Sequence, residues 1–299
     1  MRRLPDYLKR PIIDTEKTKT VRRILKTKCL NTVCEGARCP NKSECYSRNT
    51  ATFLIMGKFC TRNCRYCNIS TDRPEPLDLK EPKHVAEAVK DLGLKYAVIT
   101  SVTRDDLPDG GAEHFKNCIE EIRKISDAKI EILTPDFKSK QKWNNKLEAD
   151  TIASLDTIIK ANPEVFNHNI ETTKKIFKAA RPQGNYELSL MVLKYVKENS
   201  NIKTKSGLMV GLGESFEEIK ETLIDLKKSG VDIITIGQYI QPSKQHLVVE
   251  KYYTLDEFEK LKSMVKETGF VYQEVGPLVR SSYNASFAWN ECSKNTLKY

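Results

Sequence analysis

A chain of 299 residues with 39% apolar side chains is long enough for one α/β barrel with extensions and carries enough apolar residues for a real core. No apolar run approaches membrane-spanning length, and no stretch has collagen-like, mucin-like or low-complexity composition. The net charge of +10 is unevenly spread: residues 1–80 carry 18 Lys and Arg against 8 Asp and Glu, while the remainder carries 32 of each sign.

From the N-terminus, MRRLPDYLKRP is basic but lacks the apolar core of a secretory signal. A cytoplasmic, reducing setting is therefore expected, where clustered cysteines bind metal more often than they pair. Residues 1–28 read either as a solvated basic tail or as a surface for acidic partners. Seven of the nine cysteines follow between Cys29 and Cys67. Cys34, Cys39 and Cys45 form C-x4-C-x5-C, and Cys60, Cys64 and Cys67 form C-x3-C-x2-C.

After residue 50 the pattern alternates. Short apolar runs predict buried strands at Ala51–Met56, Tyr96–Thr100, Lys129–Leu133, Val165–Asn167, Thr204–Val210 and Val231–Gly237. Helical spacing predicts helices at Lys83–Leu92, Ala112–Ile125, Ile152–Ala161, Ile170–Ala179, Tyr186–Glu198 and Glu214–Lys228. Thr254–Thr268 adds a helix, and Phe270–Val275 a further candidate strand. Six strand–helix units argue for an α/β fold, an incomplete (β/α)6 barrel of parallel strands with N-terminal and C-terminal extensions. The expected division is 1–50 for the basic, cysteine-bearing extension, 51–275 for the partial barrel and 276–299 for the C-terminal extension.

In such a barrel the loops after the strands share one rim. Those loops are GKFCTRNCRYC, SVTRDD, TPDF, NHNIE, GLGE and QYIQPS, which gather polar and reactive residues, although Gly, Pro, Asn and Asp also mark ordinary turns. A set of three thiolates leaves one iron of a four-iron cluster open to a substrate or cofactor. Structural zinc is the competing reading, but only Cys64 and Cys67 are two apart, and His84, His114, His168 and His246 all lie away from the cluster in sequence. Each histidine is therefore expected to be a surface or packing residue. Arg62 and Arg65 either offset cluster charge or are solvated loop residues, and Tyr66 places an aromatic ring beside Cys67.

The loop C-x3-C-x-aromatic-C after a first strand resembles the radical S-adenosylmethionine (SAM) superfamily. CEGARCPNKSEC, ATFLIMGKFCTRNCRYC, SVTRDDLPDGGA, LTPDF, VFNHNIET, KSGLMVGLGE, IGQYIQPSKQHL and GPLVRSSY, in this order over about residues 30–285, resemble the lipoyl synthase family. The resemblance implies a radical SAM sulfurtransferase of lipoate biosynthesis, inserting sulfur at C6 and C8 of a protein-bound octanoyl-lysine. It implies SAM and two 4Fe-4S clusters: one on Cys60, Cys64 and Cys67, and an auxiliary, sulfur-donating one on Cys34, Cys39, Cys45 and Ser282, with Ser281 the weaker candidate. SAM contacts are expected at Thr100, Ser101, Asn169 and Glu171, from loop position. Implied partners are octanoylated carrier domains (the glycine cleavage H protein or a 2-oxoacid dehydrogenase E2) and reduced ferredoxin or flavodoxin.

Gly211-Leu212-Gly213 lacks the third glycine of a dinucleotide loop and reads as a tight turn into a helix. Cys29 and Cys292 compete for the auxiliary site, whereas Cys118 reads as a small core residue. Asn284 and Val248 depart from the residues common in the family and leave the metal argument untouched. Two rival readings remain: a tRNA methylthiotransferase, for which no β-rich RNA-binding domain follows the sixth strand, and a zinc-stabilised nucleic-acid-binding protein, which leaves the strand–helix units unexplained. A nucleic-acid partner and a membrane association are not expected.

Overall fold

A computed structural model describes residues 3–11, 13–138 and 146–296. The first two and last three residues of the expected terminal extensions lie outside the described residues. The chain divides into two compact units, one formed by Arg10–Arg62 and Asn68–Glu164, the other by the segment ending at Lys9, Asn63–Cys67 and the chain from Val165 on.

In the first unit part of the basic stretch forms a helix, α1 (Glu16–Thr27), because Thr15 and Thr18 cap it reciprocally and Thr18, Val21 and Leu25 line a buried stripe. Next come β1 (Asn31–Thr32), α2 (Val33–Gly36), α3 (Lys42–Ser47) and β2 (Thr52–Ile55), all short. Then α4 (Glu81–Asp91), β3 (Tyr96–Ser101), α5 (Ala112–Ile125), β4 (Lys129–Leu133) and α6 (Ala149–Ala161) follow. β2, β3 and β4 pair in parallel, with Thr52 opposite Val98 and Tyr96 opposite Lys129, while β1 runs antiparallel to β2. Every residue of β2 is buried, as befits a parallel strand covered on both faces.

The second unit holds β5 (Val165–Asn167), α7 (Lys174–Ala180), α8 (Tyr186–Asn199), β6 (Lys203–Val210) and α9 (Phe216–Lys228). It closes with β7 (Ile233–Gln238), α10 (Leu255–Thr268), β8 (Tyr272–Val275) and α11 (Ala285–Thr296). β5 to β8 pair consecutively and in parallel. The eight-stranded, mostly parallel sheet has the expected class, with the six anticipated strands present as β2 to β7 and the further candidate as β8. Among the described residues no helix is long and apolar enough to cross a membrane.

Two helices start later than their periodicity suggests. α7 begins at Lys174, not Ile170, because Glu171 takes φ +71° and the loop after β5 must turn before helix geometry can begin. α9 begins at Phe216 because Ser215 and Glu218 form a capping box, leaving Glu214 outside the helix. One glycine decides where the C-terminal segment runs. A Cβ on Gly237 of β7 would stand 2.0 Å from the Val279 carbonyl oxygen, so only glycine admits this close approach. The Gln238 amide donates to the Pro277 carbonyl at 3.2 Å and pins GPLVRSSY to the carboxyl end of β7.

Candidate cluster and cofactor sites

Cys34, Cys39 and Cys45 are presented by two short helices and the turn between them. Thr32 caps α2 through the Glu35 amide at 3.3 Å, and its hydroxyl meets the Tyr46 hydroxyl at 3.0 Å, tying α3 to β1. The Cys39 amide donates to the Cys34 carbonyl at 3.1 Å, and the Cys45 amide to that of Asn41 at 2.9 Å. Burial pushes the Cys34 thiol up to about 11; hydrogen bonding by Thr52 opposes this and the charge of Cys39 adds to it. Cys45 is pushed up to about 12, first by burial and then by the charges of Cys34 and Cys39. Cys34 is buried, and Cys39 and Cys45 are half-buried. Among the described residues no group of three or more Cys, His, Asp or Glu side chains converges on a single-ion position. A four-iron cluster makes no such demand, since each of its irons takes only one thiolate.

In the same unit the Cys60 amide donates to Ser70 at 2.9 Å, and the Cys60 sulfur accepts the amides of Arg62 at 3.4 Å and Thr103 at 3.3 Å. Thr61 donates both its amide and its hydroxyl to the Thr103 carbonyl at 3.0 Å. Arg62 is neither solvated nor free to offset cluster charge. Its buried guanidinium is held by Asp105 through Nε and Nη2 at 2.7 Å each, and by Asp136 at 2.8 and 2.7 Å. Burial opposes its charge, but the two carboxylates outweigh burial and hold its ionisation well above the ordinary arginine value. Arg65 is exposed.

In the other unit the Cys67 amide donates to the Cys64 carbonyl at 3.0 Å. His246 was expected at the surface or in packing, yet its Nε2 lies 2.9 Å from the Cys67 carbonyl and its Nδ1 2.8 Å from the Ser243 hydroxyl. Because a carbonyl can only accept, Nε2 carries the proton and Nδ1 accepts from Ser243. A gap of 179 residues hid this contact from the sequence. The Leu247 amide donates to Arg65 at 2.9 Å and the Arg65 amide to Ala180 at 2.9 Å, so the segment is tied down on both sides. Ionisation of Tyr66 is pushed far up by burial, then by the charges of Glu171, Cys64 and Cys67, and its ring packs against the cluster of Leu212, Tyr239 and Val249.

The expected SAM residues differ in what they still offer. Thr100, on β3, already donates to the Leu133 carbonyl at 3.0 Å, whereas the buried Ser101 Oγ has no hydrogen-bond partner. Asn169 Oδ1 is likewise buried without a partner. Burial raises the Glu171 carboxyl, and Arg181, Asn169 and Tyr66 offset the rise in part. A Cβ on Gly207 would fall 2.6 Å from Asn169 Oδ1, so this glycine keeps the Asn169 position open. The Gly211–Gly213 turn offers no anion site, because Glu214 fills it and accepts the amides of Gly211 at 2.6 Å and Leu212 at 2.9 Å.

Ser281 and Ser282 are half-buried in a turn closed by the Tyr283 amide on the Arg280 carbonyl at 2.9 Å. Cys292 packs with Val165, Ile233 and Ala288, at the amino ends of β5 and β7, whereas the serines follow the segment pinned to the carboxyl end of β7. Cys29 is exposed in the left-handed turn after α1, and Cys118 is a buried residue of α5, as expected. His114 bonds Glu81 at 2.7 Å and His168 is buried, consistent with packing.

Residues 54–226 match the radical SAM superfamily. The chain is 48% identical to "Lipoyl synthase" of Rubrobacter xylanophilus over 94% of this chain and 85% of that one. It is 46% identical to "Lipoyl synthase" of Caldanaerobacter subterraneus over 95% and 96%, and 49% identical to "Lipoyl synthase 2" of Gloeobacter violaceus over 95% of each. Among solved structures, methylornithine synthase aligns with TM-score 0.55 at 12% identity over 85% of this chain and 74% of that one, a likeness of fold alone.

Proposed function

The chain belongs to the lipoyl synthase family of the radical SAM superfamily, and from that premise we propose how its residues share the reaction. It is a radical SAM sulfur-inserting enzyme that uses SAM and two 4Fe-4S clusters and acts on a protein-bound octanoyl chain. In this proposal Cys60, Cys64 and Cys67 hold the SAM-cleaving cluster, and Cys34, Cys39, Cys45 and Ser282 hold the cluster consumed as sulfur source. When bound, these groups supply hydrogen abstraction at the unactivated C6 and C8 positions and the sulfur that replaces each hydrogen, chemistry beyond side-chain acids and bases.

The chain's own tasks are to bind, to orient and to keep water out. Cys60 is oriented by the amides of Arg62 and Thr103, and Cys67 by the proton on His246 Nε2. Ser101 and Asn169 offer hydrogen bonds to SAM, while Tyr66 fills apolar space beside Cys64 and Cys67. Ser282 is the weaker link of the auxiliary set: an oxygen donor is harder than a thiolate and frees its iron more easily. The division into an extension of residues 1–50, a partial barrel of 51–275 and a C-terminal extension from 276 belongs to the same proposal. So do the partners: an octanoylated H protein or E2 domain as substrate, and reduced ferredoxin or flavodoxin as electron donor. The excess positive charge of residues 1–80 suits the acidic partners among these.

The observation that supports the auxiliary assignment is the presentation of Cys34, Cys39 and Cys45 on α2, α3 and the turn between them, joined by the Cys39 amide on the Cys34 carbonyl, with Cys34 buried and the other two half-buried. Anaerobic reconstitution followed by SAM, reductant and an octanoyl-lysine peptide tests it. The expected product has gained two sulfur atoms, with methionine and 5′-deoxyadenosine released. Protein that loads two clusters and cleaves SAM but leaves the peptide free of sulfur overturns the proposal.

A further inference from the structure

Met56, the residue after β2, has φ +67°, and Gly57 follows it at φ +92°. Glycine takes such an angle freely, whereas a methionine adopts it rarely and at a cost. Met56 stays there because it is gripped on every side. Its amide donates to Glu81 Oε2, on the first residue of α4, at 2.7 Å. Its carbonyl accepts from Arg104 Nη1 at 3.3 Å, and Asp106 aligns that guanidinium at 2.9 and 2.8 Å. Its buried side chain lies over Gly111 at the head of α5, where a Cβ would collide with the Met56 sulfur.

The same Glu81 oxygen lies 2.7 Å from His114 Nε2 on α5, and all of these residues belong to the first unit. A buried acid is costly unless it is hydrogen-bonded. The two helices do not need one in order to pack, since Val85 and Val89 of α4 and Phe115 and Ile119 of α5 are already buried. What Glu81 adds is a partner for the Met56 amide, and His114 fixes the oxygen that accepts it. The loop after β3 then grips the segment at both ends, with Arg104 on the Met56 carbonyl and the Thr103 amide on the Cys60 sulfur at 3.3 Å. The direction in which the chain leaves Met56 therefore decides where Cys60 arrives.

We propose that Glu81, oriented by His114, is a positioning residue that acts with Arg104 to clamp Met56 in its left-handed conformation and so holds the Cys60 loop formed before a cluster is loaded. A loop already in its bound shape gives up less conformational freedom when the cluster arrives. The proposal rests on Cys60 being a cluster ligand.

The test is hydrogen exchange at the Met56 amide in the full metal-free chain, with the rate of iron loading into the SAM-responsive cluster measured alongside. Glu81→Ala is expected to speed that exchange about tenfold or more, as the loss of one buried hydrogen bond does. It is expected to slow loading of this cluster and to leave exchange in the second half of α5 at the wild-type rate. Glu81→Gln, whose side-chain carbonyl still accepts the Met56 amide, is expected to restore both the exchange and the loading. If Glu81→Ala does not fold, His114→Leu, which removes the orienting donor, decides by the same two readouts. Wild-type exchange at Met56 in the folded variant overturns the proposal, and so does fast exchange with wild-type loading. Fast exchange spread along α4 and α5 also overturns it, because the pair would then only join the helices. Wild-type protein that protects the Met56 amide but assembles no SAM-responsive cluster overturns instead the assignment of Cys60, Cys64 and Cys67.

Discussion

The two thiolate segments are fixed in opposite ways. Cys34, Cys39 and Cys45 are set chiefly by neighbours close in the chain: a threonine cap, amide-to-carbonyl bonds spanning four or five residues, and short helices. Thr52 at Cys34 and the Asn68 side-chain amide on the Gly36 carbonyl at 2.8 Å reach in from farther along. The Cys60–Cys67 loop is set by residues far away, namely Thr103, Asp105, Asp136, Ala180 and His246. A locally fixed site keeps its form through its own sequence and can give up its contents without unsettling the rest of the fold. Under the proposed assignment, the segment tied down from a distance is the one whose cluster must survive many turnovers.

Removing a ligand from each segment breaks this comparison most sharply. Cys64→Ala is expected to abolish 5′-deoxyadenosine release, while Cys39→Ala should retain that release and lose sulfur insertion. Both are read by product chromatography after anaerobic assay. Equal loss of both activities in Cys39→Ala would mean that the two segments do not divide the chemistry.

Next in size is a pH effect confined to the local segment. In the metal-free chain Cys34 and Cys45 titrate above the ordinary thiol value of 9.0, at about 11 and about 12. A group whose folded value is raised contributes stability below its unfolded value and loses it as pH climbs through the folded one. Metal-free protein should therefore lose stability from about pH 9 upward, measured by denaturant unfolding at fixed salt. Iron loading removes those protons in advance, so the holoenzyme should be flatter over the same range. A metal-free protein as stable at pH 10.5 as at pH 8 would contradict the burial ascribed to this segment.

The same contrast governs how much could be read in advance. Both cysteine spacings and β2 to β8 are legible because spacing and apolar runs are properties of contiguous sequence. α1 was hidden in a stretch that looked like a charged tail, since its buried stripe is only Thr18, Val21 and Leu25 amid lysines and arginines. Arg62 was legible as a loop residue but not as a buried one, because Asp105 and Asp136 lie 43 and 74 residues on. His246 was illegible for the same reason. The Gly211–Gly213 turn is legible from its glycines, although nothing in its spacing announces that Glu214 fills it.

A smaller effect sharpens the remote side. His246→Ala removes the donor on the Cys67 carbonyl, at a cost of about 1 kcal/mol for a hydrogen bond of this kind. The expected outcome is faster iron loss from the SAM-responsive cluster on exposure to chelator, with auxiliary-cluster sulfide unaffected. His246→Gln, which keeps an N–H donor, should recover part of the retention. Retention equal to wild type in His246→Ala would show that the backbone bonds of Arg65 suffice to hold the loop.

The smallest effect belongs to a cysteine outside both segments. Cys292 fills space against Val165, Ile233 and Ala288, and its thiol is pushed up to about 11 by burial. Cys292→Ala should cost about 1 kcal/mol in unfolding free energy, the common size of a modest core truncation. Iron content and sulfur insertion should match wild type, because the amino ends of β5 and β7 are not where a barrel of this kind keeps its reactive loops. Ser282→Ala provides the opposite pattern: unfolding unchanged within error and sulfur insertion diminished. If Cys292→Ala lost iron while Ser282→Ala did not, the fourth auxiliary ligand would have to be moved from the serine to the cysteine.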